Sequence, residues 1–452
     1  MAKLQDIPVK KNDIVEADIE DLGYEGEGVA HIGGYALFVP FALPGERVRA
    51  HIVLVKPAYA VAKLTAVLRP SKARVEPFCP HYRVCGGCAM QHIAYDAQLE
   101  YKRKSVQETF YKTAKLSVLP RETVPSPSTR AYRNKLSLPV RGKEPKIGFF
   151  APRSHRIVEI ERCPIQFEEN ETLIALFKAF LARERIEGYD ETSGKGLVRH
   201  LVARKTGERL TVTVVVNARS GKRISPFYGD LRTAFGERVT LYCNFNEGRN
   251  NIILGEESVL LGGTPAPVLI DGLAVEVHPQ SFFQVNDGIR SLLYSAVLAQ
   301  VGDTVLDAYS GAGLLSALTA KEGKRVTAIE REKKAVESAK LLNERNGISE
   351  NSVKLVCADC AEALPVSLRE NPHTVVLDPP RSGCAPAVTA ALAERPVQKI
   401  VYISCAPNTL ARDIAALSTA YELQSLTPYD MFPHCAGVET LAVLTRKERT
   451  EA

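Results

Sequence analysis

The chain has 452 residues, 45% hydrophobic and 24% charged, which is too long for one ordinary core and implies two or three domains. Its 58 basic and 52 acidic residues leave a mild net charge of +6, which permits a polyanionic partner without requiring one. The composition excludes a low-complexity chain, and no stretch approaches the roughly 18 uninterrupted apolar residues of a membrane span. "MAKLQDIPVKKND" has no apolar run behind its lysines and does not read as a signal peptide. A cytoplasmic protein without membrane association is therefore expected, and a monomer is the expected state. Thiols stay reduced in that compartment, so the 10 cysteines read as ligands, catalysts or core rather than as disulfides.

Residues 13–68 form short alternating runs punctuated by Gly and Pro ("YALFVPFALPGERVRAHIVLV"), the pattern of a small β-barrel of about five strands. Such barrels often bind oligonucleotides, and a plain accessory domain is the other reading. "RPSKARVEPFCP" marks a boundary. "FCPHYRVCGGCAM" then spaces Cys79, Cys85 and Cys88, and "IERCPIQ" offers Cys163. Four thiolates suit tetrahedral zinc or an iron–sulfur cluster. Zinc ribbons pair two CxxC knuckles, whereas one CxxC joined to two isolated cysteines leans toward a cluster. Residues 94–114 read as one amphipathic helix with Leu99, Val106 and Phe110 near helical spacing, expected to pack on the last domain. β-like segments around one helix fill residues 130 to 270.

From residue 285 strands alternate with helices, which implies an α/β, doubly wound, Rossmann-like domain with ligands at the carboxyl ends of its strands. The domains expected are a barrel at 1–68, a central α+β domain at 69–270 and the doubly wound domain at 271–452. "LDAYSGAGLLS" places Asp307 at a strand end and Gly311 and Gly313 in the turn before a helix. It lacks the third glycine of a dinucleotide fingerprint. Glu330 ends the next strand, suited to ribose hydroxyls, and Asp359 the one after, where adenine would lie. That series fits S-adenosylmethionine better than NAD. "LDPPRSG" sets Asp378 before a stiff loop. Its Arg stands where amino-methyltransferases have an aromatic residue.

"VYISCAPNTLARD" puts Cys405 at the fifth strand end, with a helix expected to start near Asn408 and lower the thiol pKa. Carbon 5 of uracil cannot take a sulfonium methyl unaided. A thiolate added at carbon 6 makes the ring an enolate with charge at carbon 5. A base must then remove the carbon-5 proton, and "FPHCAGVETLAVL" supplies Glu439 before a late strand. Cys435 lies nearby in a loop with no helix to activate it. "CADC" (Cys357, Cys360) is read as incidental.

"LDPPRSG", "YISCAPNTLARD", "DMFPHCAGVET" and "FFQVN" together resemble the RNA uracil-5-methyltransferase family, specifically its 23S rRNA branch with an N-terminal TRAM domain. The resemblance covers nearly the whole chain. It implies Cys405 as nucleophile, Glu439 as general base, and Gln284, Tyr309, Glu330, Asp359 and Asp378 around cofactor and base. It further implies a 4Fe–4S cluster on Cys79, Cys85, Cys88 and Cys163, and Arg133 as an RNA contact. Ala406 stands where members often have Asn, Tyr309 where some have Phe, and Leu314 where some have Asn, which bears on individual cofactor contacts. A target uridine would have to be flipped from its stack. "RAYRNK" (Arg130, Tyr132, Arg133, Lys135) and "YKRK" (Lys102, Arg103, Lys104) are candidate cations around it. Three readings compete: the tRNA T-loop uridine as target, an amino-methyltransferase, and a non-catalytic RNA-binding protein.

Overall fold

A computed structural model describes residues 7–281 and 283–448. The alternating runs near the N-terminus form one six-stranded sheet, from Ile14–Asp18 to Tyr59–Arg69. Tyr35, Leu37 and Val39 face its core while Ala36 and Phe38 do not, which is the two-residue period of a half-buried strand. The sixth strand, Asp21–Leu22, is too short to have left a pattern in the sequence.

A seven-stranded mixed sheet follows, built from segments between Lys135–Arg141 and Glu257–Gly262. The helices Asn170–Arg183 and Phe227–Phe235 cover it, and Phe177, Phe180 and Phe227 pack together against its core.

The last unit has strands β1 (Thr304–Ala308), β2 (Arg325–Glu330), β3 (Val353–Cys357), β4 (Thr374–Leu377), β5 (Lys399–Ser404), β6 (Tyr421–Tyr429) and β7 (Glu439–Arg446). They lie in the order β3-β2-β1-β4-β5-β7-β6. The first five are parallel and β7 runs antiparallel to both its neighbours. All four residues of β4 are buried, as a strand covered on both faces requires. Strand order reverses between β1 and β4, which opens a crevice at their carboxyl ends.

The helix Tyr95–Ala114 belongs to this unit by packing. Val106 and Phe110 lie in one apolar cluster with Tyr402, Leu410 and Ala411. On the same helix Lys102 is fully buried, its ammonium paired with the buried Asp430 and donating to the Phe432 carbonyl at 3.0 Å. Tyr95 Oη also donates to Asp430, at 2.8 Å. Among the described residues no helix is long and apolar enough to cross a membrane.

Lys102→Met should leave Asp430 buried without its cation, and breaking such a pair costs about 3–5 kcal/mol. Urea unfolding followed by tyrosine fluorescence checks this. A loss below about 1 kcal/mol, the scale of an exposed pair, would show that the pair is not structural.

Candidate active site and cysteine cluster

β1 leads into a turn in which Tyr309, Gly311 and Gly313 all have positive φ, of 66°, 55° and 78°. The two glycines serve different ends. A Cβ on Gly313 would stand 2.7 Å from Ala339 Cβ, so this glycine permits close helix packing. A Cβ on Gly311 would meet nothing within 4 Å, so that turn borders open space. Gly311 N–H donates to Glu330 Oε2 at 3.0 Å, and Glu332 N–H to Oε1 at 2.8 Å, which fixes Glu330 at the end of β2. Asp359 caps the helix Cys360–Ser367 through Ala361 N–H at 2.8 Å. Leu314 turns its side chain into an apolar cluster with Phe283 and Leu318, so only its backbone borders the turn. Gln284 is buried and its carbonyl accepts from Asn134 Nδ2 at 3.0 Å. Phe282 of "FFQVN" lies outside the described residues.

Under this turn Asp307 is buried and accepts from the Ser316 hydroxyl. Burial pushes it up to about 6 against the help of that bond, and the charge of Glu330 adds to the rise. Asp378, just past β4, is pushed up to about 7 by burial first and the Asp307 carboxylate second.

Ser404, the last residue of β5, is paired with Thr440 of β7. The antiparallel register therefore sets Cys405, one step past β5, beside Glu439, the first residue of β7. Glu439 is 3% exposed, and burial with the nearby Asp378 charge holds its carboxyl well above the usual range. Arg381 opposes that rise from the rim of the crevice.

The expectation of a thiol lowered by a helix N-terminus does not hold. The helix starts at Pro407 with Ala406 in the capping position, so Asn408 lies within the first turn and caps nothing. Burial and the charges of Glu439 and Asp378 push the Cys405 thiol up, while Arg381 counters through charge and a hydrogen bond to the sulfur.

Arg381 is the residue the sequence reading passed over, noting it only as the absence of an aromatic. Its loop is strapped to the helix behind Cys405. Thr409 Oγ1 donates to the Arg381 carbonyl at 3.2 Å, Arg412 to the Ser382 carbonyl at 3.0 Å, and Cys384 N–H to Asp413 Oδ2 at 2.8 Å. Tyr402 Oη donates to the same Asp413 oxygen at 2.7 Å. No spacing signal marks Asp413, since besides the adjacent Arg412 its partners Cys384 and Tyr402 come from other elements.

Cys79, Cys85, Cys88 and Cys163 converge from two segments, each partly exposed and near enough to raise a neighbour's pKa. Burial and the thiolates of Cys79 and Cys85 push Cys163 up to about 11. Neighbouring thiols of which Cys85, Cys88 and Cys163 resist ionisation suit a cationic centre, whose charge would hold them as thiolates. Among the described residues no three His, Cys, Asp or Glu side chains close on one point as a single bound ion would need. Arg133 is half-buried, its backbone N–H donating to Ile165 O at 2.9 Å, and its charge reaches Cys435 and Lys135. Two of the expected RNA cations are otherwise engaged. Lys102 is in the buried pair with Asp430, and Lys104 bridges to Asp21 of the barrel at 2.8 Å.

The tRNA (Uracil-5-)-methyltransferase family matches residues 273–447, and the TRAM domain matches residues 8–65. The chain is 37% identical to an uncharacterized RNA methyltransferase of Clostridium acetobutylicum, over 98% of this chain and 99% of the relative. It is 36% identical to one of Halalkalibacterium halodurans, over 98% and 99%. Among solved structures it resembles the Pyrococcus abyssi tRNA (uracil-54, C5)-methyltransferase in complex with S-adenosyl-L-homocysteine. There the TM-score is 0.79 and the identity 29%, over 95% of this chain and 99% of that one.

Arg381→Met should raise the Cys405 thiol further, because the cation that opposes burial is gone. Alkylation of the Cys405 peptide by iodoacetamide near pH 8, followed by mass spectrometry, should slow roughly tenfold. An unchanged pH profile would show that Arg381 does not act on the sulfur.

Proposed function

The chain belongs to the RNA uracil-5-methyltransferase family, and from that premise we propose that it forms 5-methyluridine through a covalent Cys405 adduct. It is an S-adenosylmethionine-dependent enzyme with a TRAM domain. The observation that carries the proposal is the pairing of β5 with β7, which brings Cys405 and Glu439 side by side in the crevice.

In this reading the Cys405 thiolate adds to carbon 6 of a flipped uracil, helped by the Arg381 cation. The pair of electrons displaced from the ring double bond gives an enolate nucleophilic at carbon 5. Asp378, near its midpoint at neutral pH, can donate a hydrogen bond to the ring oxygen that gains charge. S-adenosylmethionine supplies an electrophilic methyl group on a sulfonium, and would be held by Gly311, Gly313, the Leu314 backbone, Gln284, Tyr309, Glu330 and Asp359. Glu439 then takes the proton from carbon 5. The double bond re-forms and the Cys405 thiolate leaves. A base for a carbon-bound proton gains strength from burial, which fits the raised Glu439.

The motifs support 23S rRNA as the substrate, with Arg133 among its contacts. The likeness to an enzyme described as acting on tRNA uracil-54 favours a second reading, a tRNA uridine. Labelled cofactor, total RNA from cells lacking the modification, and mapping of the label separate the two.

Glu439→Gln should methylate carbon 5 yet fail to release, so a denaturing gel should show labelled enzyme joined to RNA. Cys405→Ser should give neither this band nor turnover. Release of methylated RNA by Glu439→Gln at the normal rate would assign the base to another group.

For the four cysteines we propose a 4Fe–4S cluster. Such a cluster gives each thiolate its own iron, which suits ligands spread around a space better than a single zinc does. Purified without air, the protein should be brown and contain about four irons per chain. A colourless protein with one zinc would replace the cluster by a structural zinc site.

A further inference from the structure

A fifth thiol stands beside the four. Cys435 Sγ donates to the Gly87 carbonyl at 3.2 Å, one residue before Cys88. The backbone also brings the two segments together. Ala89 N–H and Met90 N–H both donate to the His434 carbonyl, at 3.0 and 2.9 Å. The residues next to Cys88 and Cys435 thus already share a backbone bridge, so the two chains run within the span of a disulfide. His434 N–H in turn donates to Gln98 Oε1 at 3.0 Å, and the Pro433 carbonyl accepts from Tyr132 Oη at 3.1 Å. The segment is held on both sides of the cysteine. Four residues further on lies Glu439.

We propose that Cys88 and Cys435 are an oxidisable thiol pair, which joins as a disulfide whenever Cys88 is not held by a metal centre. With a peroxide as oxidant, two thiols and one peroxide give one disulfide and two waters. Each sulfur loses one electron, the peroxide O–O bond takes both, and the thiol protons leave in the waters. The bond would tie the cysteine-rich segment covalently to the turn that carries the candidate base. A bound centre protects Cys88 by ligation. Loss of the centre exposes it to the one thiol that comes from the other domain. Only this protection rests on the metal reading above; the pairing itself does not depend on whether the centre is iron–sulfur or zinc.

Full-length protein would be stripped of metal by a chelator under anaerobic reducing conditions, freed of reductant, and treated with equimolar hydrogen peroxide. Remaining thiols would then be alkylated, and peptides mapped by mass spectrometry without reduction. The expected result is a linked pair of peptides carrying Cys88 and Cys435, absent after dithiothreitol and absent in Cys435→Ser. Metal-loaded protein treated alike should keep Cys435 free for alkylation. Cys88 joined instead to Cys79, Cys85 or Cys163 overturns the proposal. A mixture of pairings does so too, because the contact would not have survived metal removal. Equal disulfide formation in loaded protein overturns the protection by the centre while leaving the uridine chemistry untouched. Should Cys435→Ser fail to fold, the wild-type map decides alone.

Discussion

Two carboxyl groups and a thiol share one strand-end crevice, and the guanidinium of Arg381 is the cation that faces the thiol and the candidate base. Asp378, Glu439 and Cys405 are each pushed toward their neutral forms, because water is excluded and because the acids repel further negative charge. A fully charged trio would be costly in so dry a place. A fully neutral one could neither attack carbon 6 nor remove a proton from carbon 5. Arg381 opposes the rise at both Cys405 and Glu439, which keeps the charged forms within reach. Its loop is bonded to Thr409, Arg412 and Asp413 on the helix behind Cys405.

The other half of the crevice depends on residues outside the sheet. The segment between β6 and β7 has no regular structure of its own, yet its residues are bonded in succession by groups that precede the sheet in the chain. Lys102 and Tyr95 hold Asp430, Asn286 reaches the Met431 carbonyl, Tyr132 holds Pro433 and Gln98 holds His434. Ala89 and Met90, from the cysteine-rich segment, complete the series. The doubly wound sheet can position Cys405 by itself, since strand, turn and helix are consecutive. Fixing the approach to Glu439 takes partners more than three hundred residues away in sequence. A buried ammonium is a demanding way to fasten a loop, because its desolvation must be matched by good geometry. Here the carboxylate and a carbonyl together meet that demand.

Much of this was legible in the residues. Alternation marked the barrel, βα repetition marked the sheet, and strand ends marked Asp307, Glu330, Asp378 and Cys405, because each signal is local. The failures were non-local or quantitative. Asn408 resembles a cap, but Pro407 starts the helix first, since its fixed φ suits the first helical position. The sign of the Cys405 shift could not be read from one helix end when the opposing charges come from β4 and β7. Lys102 sat in a run of basic residues that reads as a solvated face, and only the tertiary pairing with Asp430 reveals it as core. Cys435 was set aside for want of an activating helix, although its neighbour across the fold is a cysteine.

The same contrast bears on how the domains divide the work. The barrel is tied on by the exposed pair of Lys104 with Asp21, by the fully buried Glu46 paired with Arg74, and by an apolar cluster of Leu43 with Met90, Ile93 and Tyr101. The central region acts on the crevice more directly, because peptide groups before Glu439 take their hydrogen bonds from it. Whatever holds Cys79, Cys85, Cys88 and Cys163 in register also holds Ala89 and Met90, and through them the turn before the base. A metal centre at that position would act on the reaction without touching the substrate, by stiffening the one side of the crevice that its own sheet leaves unsupported.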